Sequence, residues 1–425
     1  MSKRHINTDC VQGAYNPKNG EARVIPIYQS TTFKYDSSDD MGKLFDLEAE
    51  GFFYTRLANP TVDLVEKKIA LLEGGVGAML TSSGQAAAMS AVFNIAKAGD
   101  HIVSSAAIYG GTFNLFNKTI RELGIDVTFV SPDSTEEELQ SAIKENTKLI
   151  FAETISNPSL VVLDIEKFAK VAHQNNIPLI VDNTFPTPIN CRPFDFGADI
   201  VIHSTTKYMD GHAVALGGCV VDSGNFDWTK GNFPMLTTPD ETYHGTVYTE
   251  SFGKMAYIVK ARTHLMRDTG VMMSPQNAFY LNLGLETLFL RMERHCENAQ
   301  KVAEFLKNDP RIESVNFPSL PDSPYKPLVD KYCTDGRSCG VIAFEVKGGR
   351  EAAVKFMGNL KLAAIVTHVA DLRTCVLHPA SSTHRQLSDE QLKEAGISNG
   401  LIRFSVGLEY IDDIIDDLKQ ALDNM

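Results

Sequence analysis

The 425 residues, 43% of them hydrophobic, supply more apolar surface than one core uses, so two domains are expected. Forty Lys and Arg against 53 Asp and Glu leave a net charge of −13, which disfavours nucleic acid and anionic membranes as partners and favours small molecules or proteins. No apolar run approaches the roughly 20 residues of a membrane span, the opening MSKRHINTDC lacks the apolar stretch of a secretory signal, and seven scattered cysteines are too sparse for a disulfide framework. A soluble chain with reduced thiols in the cytoplasm is expected.

Residues 1–60 mix Pro, Gly, Ser and aromatic residues without helical period, which predicts an extended arm with a few turns that wraps a neighbouring domain or subunit. Pro60 suits a first helical position, and Val62, Val65, Ile69 and Leu72 follow at three- and four-residue spacing until Gly74-Gly75 stops the helix. Short apolar runs at 101–104, 127–131, 149–152, 178–181 and 199–202 then alternate with helical stretches. That alternation predicts an α/β domain over 61–256 with a mostly parallel sheet covered on both faces. Within it, residues 222–250 are rich in Gly, Pro, Asn and Thr and read as an insertion, functional by itself or flexible. From 257 to 425 the pattern predicts a smaller α+β domain, with a helix over 277–307, strands over 340–345 and 401–406, and a closing helix over 410–422.

Ligands bind at the carboxyl ends of parallel strands, so the polar residues there come first. The strand at 178–181 ends in Asp182, and the strand at 199–202 runs into His203-Ser204-Thr205-Thr206-Lys207. A carboxylate and an amine at one sheet edge make either an ordinary salt bridge or a pyridoxal phosphate site, in which the lysine forms a Schiff base and the aspartate keeps the ring nitrogen protonated. Thr81-Ser82-Ser83-Gly84-Gln85 precedes a helix of small residues whose free N–H groups could receive a phosphate, although Ser-Ser-Gly alone is more often a plain N-cap. Ser204 and Thr206 add two hydroxyls beside the candidate lysine. Arg403 lies in an apolar strand, where a guanidinium without an anionic partner is costly, so a binding role is favoured.

Tyr54-Thr-Arg56-Leu-Ala-Asn-Pro-Thr61, Ser82-Ser-Gly84, Asp182-Asn-Thr184, His203-Ser-Thr-Thr-Lys207-Tyr and Ile402-Arg403-Phe-Ser-Val-Gly-Leu-Glu409 together resemble the Cys/Met-metabolism family of pyridoxal phosphate enzymes, in order and across nearly the whole chain. The resemblance implies fold type I, with pyridoxal 5'-phosphate as a Schiff base on Lys207 and Asp182 as partner of the pyridinium nitrogen. It implies a phosphate site at Gly84, Gln85, Ser204 and Thr206, completed by Tyr54 and Arg56 from a neighbouring subunit, with Ser83 and Thr184 also cofactor-binding. Tyr109 would stack on the ring and join Lys207 and Asp182 in catalysis, and Asn157 would meet the phenolic oxygen. Arg403 would clamp the substrate α-carboxylate, with Thr367 and Tyr54 beside the substrate. A homotetramer built as a dimer of dimers follows from the same resemblance. On residue chemistry alone, Tyr54 and Arg56 could equally anchor the arm and Tyr109 could be a half-buried core tyrosine.

Two departures narrow the reaction. Gly111 stands where methionine γ-lyases carry a cysteine, and Val366 stands where enzymes of cystathionine carry a glutamate, so an elimination on either substrate is the less favoured alternative. The segments 222–250 and Thr367-His-Val-Ala-Asp371 look like those of O-acetylhomoserine sulfhydrylases. The activity implied is γ-replacement, joining O-acetylhomoserine with sulfide or methanethiol to give homocysteine or methionine and acetate. Gly74-Gly-Val-Gly77 follows a helix and lacks the spacing of a dinucleotide loop. His378 and His384, with Pro-Ala-Ser-Ser-Thr between them, carry no zinc signature, so no metal site is expected.

Overall fold

A computed structural model describes residues 4–382, 385 and 398–425. His384 therefore lies outside the described residues. A seven-stranded sheet is formed by β1 (Gly77–Thr81), β2 (His101–Ser105), β3 (Asp126–Val130), β4 (Thr147–Glu153), β5 (Leu179–Asp182), β6 (Ile200–His203) and β7 (Gly218–Asp222), in the order β1-β7-β6-β5-β4-β2-β3. Strands β3, β2, β4, β5 and β6 pair in parallel, and β7 alone runs antiparallel to both its neighbours. Every residue of β2 and β4 is buried, as both faces of a covered parallel sheet require. The five expected strands are all present. The expectation missed β1 and β7, which complete the sheet on one side.

The helix Pro60–Glu73 starts and stops as its sequence predicts. Asn59 accepts from the Thr61 N–H at 3.0 Å, proline fills the first turn, and Gly74 ends it at φ 82°. The arm is more structured than an extended segment. Helices Ile6–Gln12 and Ser38–Phe45 form within it, and Cys10 is fully buried in the main apolar cluster. The insertion is anchored as well: Trp228 stacks on Tyr257 at 5.1 Å, and Phe233, Leu236 and Tyr248 are buried. Aromatic burial, not periodicity, fixes this segment, which is why its pattern looked loose.

The second sheet has β8 (Ile312–Asn316), β9 (Val341–Val346), β10 (Ala364–Ile365), β11 (Cys375–Leu377) and β12 (Leu401–Ser405), in the order β10-β11-β12-β9-β8. The expected 277–307 helix is two helices, Pro275–Glu286 and Leu288–Asn308, separated at Thr287 (φ −112°, ψ 6°). Leu288, Met292 and Cys296 of the second helix belong to the larger apolar cluster, whereas Ala299, Val302 and Leu306 belong to the smaller one. One helix thus joins two cores, and residue 257 falls inside the first of them.

Candidate active site

Ser204, just beyond the carboxyl end of β6, meets the start of the helix Gly84–Phe93. Ser83 caps that helix, its hydroxyl accepting from the Ala86 N–H at 3.1 Å. Gly84 allows a close approach: a Cβ there would stand 2.6 Å from the Ser204 Cβ and 2.9 Å from its Oγ. Thr184 ties the strand ends together, donating through its hydroxyl to Asp182 Oδ1 and accepting from the Ser204 N–H at 2.8 Å. Asp182 Oδ1 also accepts from the Thr184 N–H at 2.9 Å, which leaves Oδ2 without a partner among the described residues. Burial raises the Asp182 carboxyl, and Thr184 pulls it back. The Thr206 hydroxyl is committed to Gly217, donating to its carbonyl and accepting from its N–H, both at 3.1 Å.

Lys207 follows β6, and its Nζ has no hydrogen-bond partner among the described residues. Burial lowers its amine to about 8, with the Arg403 charge adding to the effect. Arg403 comes from β12 of the second sheet and is buried. It donates through Nη1 to Asn157 Oδ1 at 3.3 Å and through Nη2 to the Thr367 and His368 carbonyls, each at 3.1 Å. All three partners are neutral, so this guanidinium has no carboxylate to balance it among the described residues. Tyr109 is half exposed, its N–H donating to Glu153 Oε1 at 2.6 Å. The Thr112 hydroxyl reaches Gln85 Oε1 at 3.4 Å.

Tyr54 and Arg56 are not part of this group. The Arg56 guanidinium lies 5.2 Å from the Tyr54 ring, donates to the Arg267 carbonyl, and lines a cavity of about 1120 Å³ with arm residues and the insertion's Thr242, Tyr243 and His244. Thr367 is exposed and meets Arg403 through its carbonyl.

The sequence pattern of the Cys/Met metabolism PLP-dependent enzymes matches residues 7–423. The chain belongs to this family. Its relatives include the O-acetyl-L-homoserine sulfhydrylase of Leptospira meyeri, 45% identical over 95% of this chain and 93% of that one. The homocysteine synthase of Schizosaccharomyces pombe is 45% identical over 100% and 99% of the two chains. A Campylobacter jejuni structure assigned as an O-acetylhomoserine (thiol)-lyase aligns with a TM-score of 0.95 and 37% identity, covering 99% of this chain and all of that one. That structure carries N'-pyridoxyl-lysine-5'-monophosphate at its position 205. The fold is therefore the fold type I arrangement of PLP-dependent enzymes.

The residues present fit the family's cofactor. A side chain at Gly84 would fill the space between the helix start and Ser204, where N–H groups and a hydroxyl suit a phosphate. An unpartnered amine and a carboxylate with one open oxygen lie on the same sheet edge. Sequence reading missed Glu153 and the trio His368, Asp371 and Cys375, all of which act electrostatically on Lys207, Asp182 or Arg403. Glu153 had a signal: like Asp182, it is a carboxylate ending a buried strand. His368 and Asp371 lay in a segment noted for its resemblance but were given no role, because only the packing of the second sheet against Lys207 brings the trio there. Among the described residues, no cluster of His, Cys, Asp and Glu is arranged to hold a metal ion, and no helix is long and apolar enough to cross a membrane.

Proposed function

We propose that this enzyme replaces the acetate of O-acetyl-L-homoserine with sulfide or methanethiol, giving L-homocysteine or methionine and acetate, a γ-replacement in methionine biosynthesis. The observation that carries the reading is the 45% and 47% identity to O-acetyl-L-homoserine sulfhydrylases of Leptospira meyeri and Corynebacterium glutamicum, over more than nine-tenths of each chain. Pyridoxal phosphate, when bound, supplies an electron sink for negative charge developing at the substrate Cα.

The chain's own residues supply the rest. Lys207 would hold the cofactor through its amine and, once displaced by the substrate amine, take the α-proton onto Nζ; an amine near 8 is partly neutral and able to do so. Asp182 would hold a proton at the ring nitrogen through Oδ2. The N–H groups of Gly84 and Gln85, with Ser83 and Ser204, would bind the phosphate, Thr184 would orient Asp182 through its hydroxyl, and Thr206 would fix the Gly217 turn beside them. Tyr109 would cover the ring, and Asn157 would meet the phenolic oxygen while holding Arg403. The Arg403 fork, with only neutral partners, would receive the substrate α-carboxylate near Thr367.

Tyr54 and Arg56 would complete the site of a neighbouring chain in a homotetramer built as a dimer of dimers, a reading supported by their distance from Lys207's surroundings and by the cavity they line. The cytoplasm is the proposed compartment, supported by seven free cysteine thiols.

The test is product analysis of the cofactor-loaded enzyme with O-acetyl-L-homoserine, with and without sulfide. Homocysteine and acetate formed only with sulfide are expected. Ammonia and 2-oxobutyrate as main products in both would replace this reading with a lyase.

A further inference from the structure

Glu153 ends β4, a strand with every residue buried, and is in parallel register with Asp182 on β5. Partners in a parallel pair face the same side, so the two carboxyls stand next to each other at the sheet edge. Glu153 is 7% exposed, and no cation pairs with it among the described residues. Backbone groups face it instead. The donor with hydrogen-bond geometry is the Tyr109 N–H, which reaches Oε1 at 2.6 Å, and the Asn157 backbone also acts on the carboxyl electrostatically. These belong to different loops: Tyr109 follows β2, and Asn157 follows β4 itself.

Both loops carry side chains that the site would use. Tyr109 precedes the short helix Gly110–Asn114 and supplies no side-chain cap to it. Asn157 Oδ1 receives Arg403 from the second sheet. Fixing the Tyr109 N–H therefore fixes the tyrosine proposed to cover the ring.

We propose that Glu153 is a positioning residue of this site: a buried carboxyl group that holds the Tyr109 backbone in the place from which its side chain reaches the cofactor. Its role is that of a hydrogen-bond acceptor, not of a charge. Burial and the neighbouring Asp182 charge push the Glu153 carboxyl well above the usual range, against the pull of the backbone donors, which favours its neutral form. A neutral acceptor of the same shape would serve as well as the native side chain.

The inference rests on the cofactor site and not on the identity of the substrate, so its test reads the cofactor. Full-length protein freed of cofactor is titrated with pyridoxal phosphate for the parent, E153Q and E153A, with thermal melting and the induced circular dichroism of the bound ring recorded for each. E153A is expected to fold, to bind the cofactor weaker by on the order of tenfold or more, and to lose the parent's dichroic band. E153Q, whose amide oxygen still accepts, is expected to recover most of the affinity and the band. Parent-like binding by E153A would overturn the proposal, as would an E153Q no better than E153A. Collapse of the melting transition in both variants would also overturn it, since Glu153 would then serve the fold and not the site.

Discussion

Gly111 is a position with no room for a side chain. A Cβ there would stand 2.5 Å from Gln85 Nε2 and 2.5 Å from the Tyr109 ring. A cysteine could enter only if the tyrosine and Gln85 moved. G111C is expected to weaken cofactor binding by about 1 to 3 kcal/mol, the usual cost of overpacking, read as a larger dissociation constant in a cofactor titration; unchanged binding would show that Tyr109 has space to give. Lys207 offers a second test. With its amine lowered to about 8, roughly a tenth is neutral at pH 7, far more than for an ordinary lysine near 10.4. In cofactor-free protein, the rate at which Lys207 is trapped by a small aldehyde should rise with pH and level off just above 8. A rate still climbing at pH 10 would mean that burial does not lower this amine. At this scale the sequence was informative wherever a residue's chemistry conflicts with its surroundings. Lys207, Asp182 and Arg403 are charges placed against apolar strands, and that conflict is visible in one dimension. His368, Asp371 and Cys375 follow no such rule, because their approach to Lys207 is made by two sheets packing together.

Among the elements, legibility followed apolar density. Strands β2 through β6 announce themselves with runs such as Leu179-Ile-Val181, whereas β1 begins with Gly77-Ala-Met, residues equally at home in a helix, and β8 alternates Ile, Glu, Ser, Val and Asn with two exposed positions. Strand β7 was hidden differently, since Asp222 looked like the start of a loop and is in fact the buried end of a strand. Its Oδ1 accepts from the Gly224 N–H at 2.8 Å, and its Oδ2 is buried without a partner among the described residues. Burial pushes this carboxyl up to about 7, from 3.8. The folded state therefore keeps a proton that the unfolded state releases above about pH 4, and stability falls as pH rises from 4 to 7. D222N keeps an acceptor for Gly224 and removes the buried charge. At pH 8 the variant is expected to be more stable than the parent by about 1 to 4 kcal/mol, with the gap closing as the pH is lowered to 4. Denaturant unfolding at the two pH values measures it, and a gap independent of pH would show that the carboxyl does not titrate in this window.

At the scale of the molecule, the proposed site lies around Lys207, and Tyr54 and Arg56 do not join it within the chain. Tyr54 and Arg56 sit beside a cavity of about 1120 Å³ between arm and insertion, where His244 meets Asp46 at 3.1 Å. If they serve a second chain, two differently disabled subunits must be able to repair each other. A K207A chain lacks the amine but still offers Arg56, and an R56A chain lacks the guanidinium but keeps Lys207. In a hybrid dimer one site has neither defect and the other has both. Random pairing of equal amounts makes half the dimers hybrid, so co-refolded or co-expressed subunits should recover about a quarter of the parent activity, from two parents each nearly inactive. The same mixture assembled from separately folded chains that do not exchange should recover nothing, which separates repair from residual activity. If R56A alone is impaired and co-assembly restores none of the loss, Arg56 acts within its own chain, and the arm is an anchor and not a contribution to a neighbour.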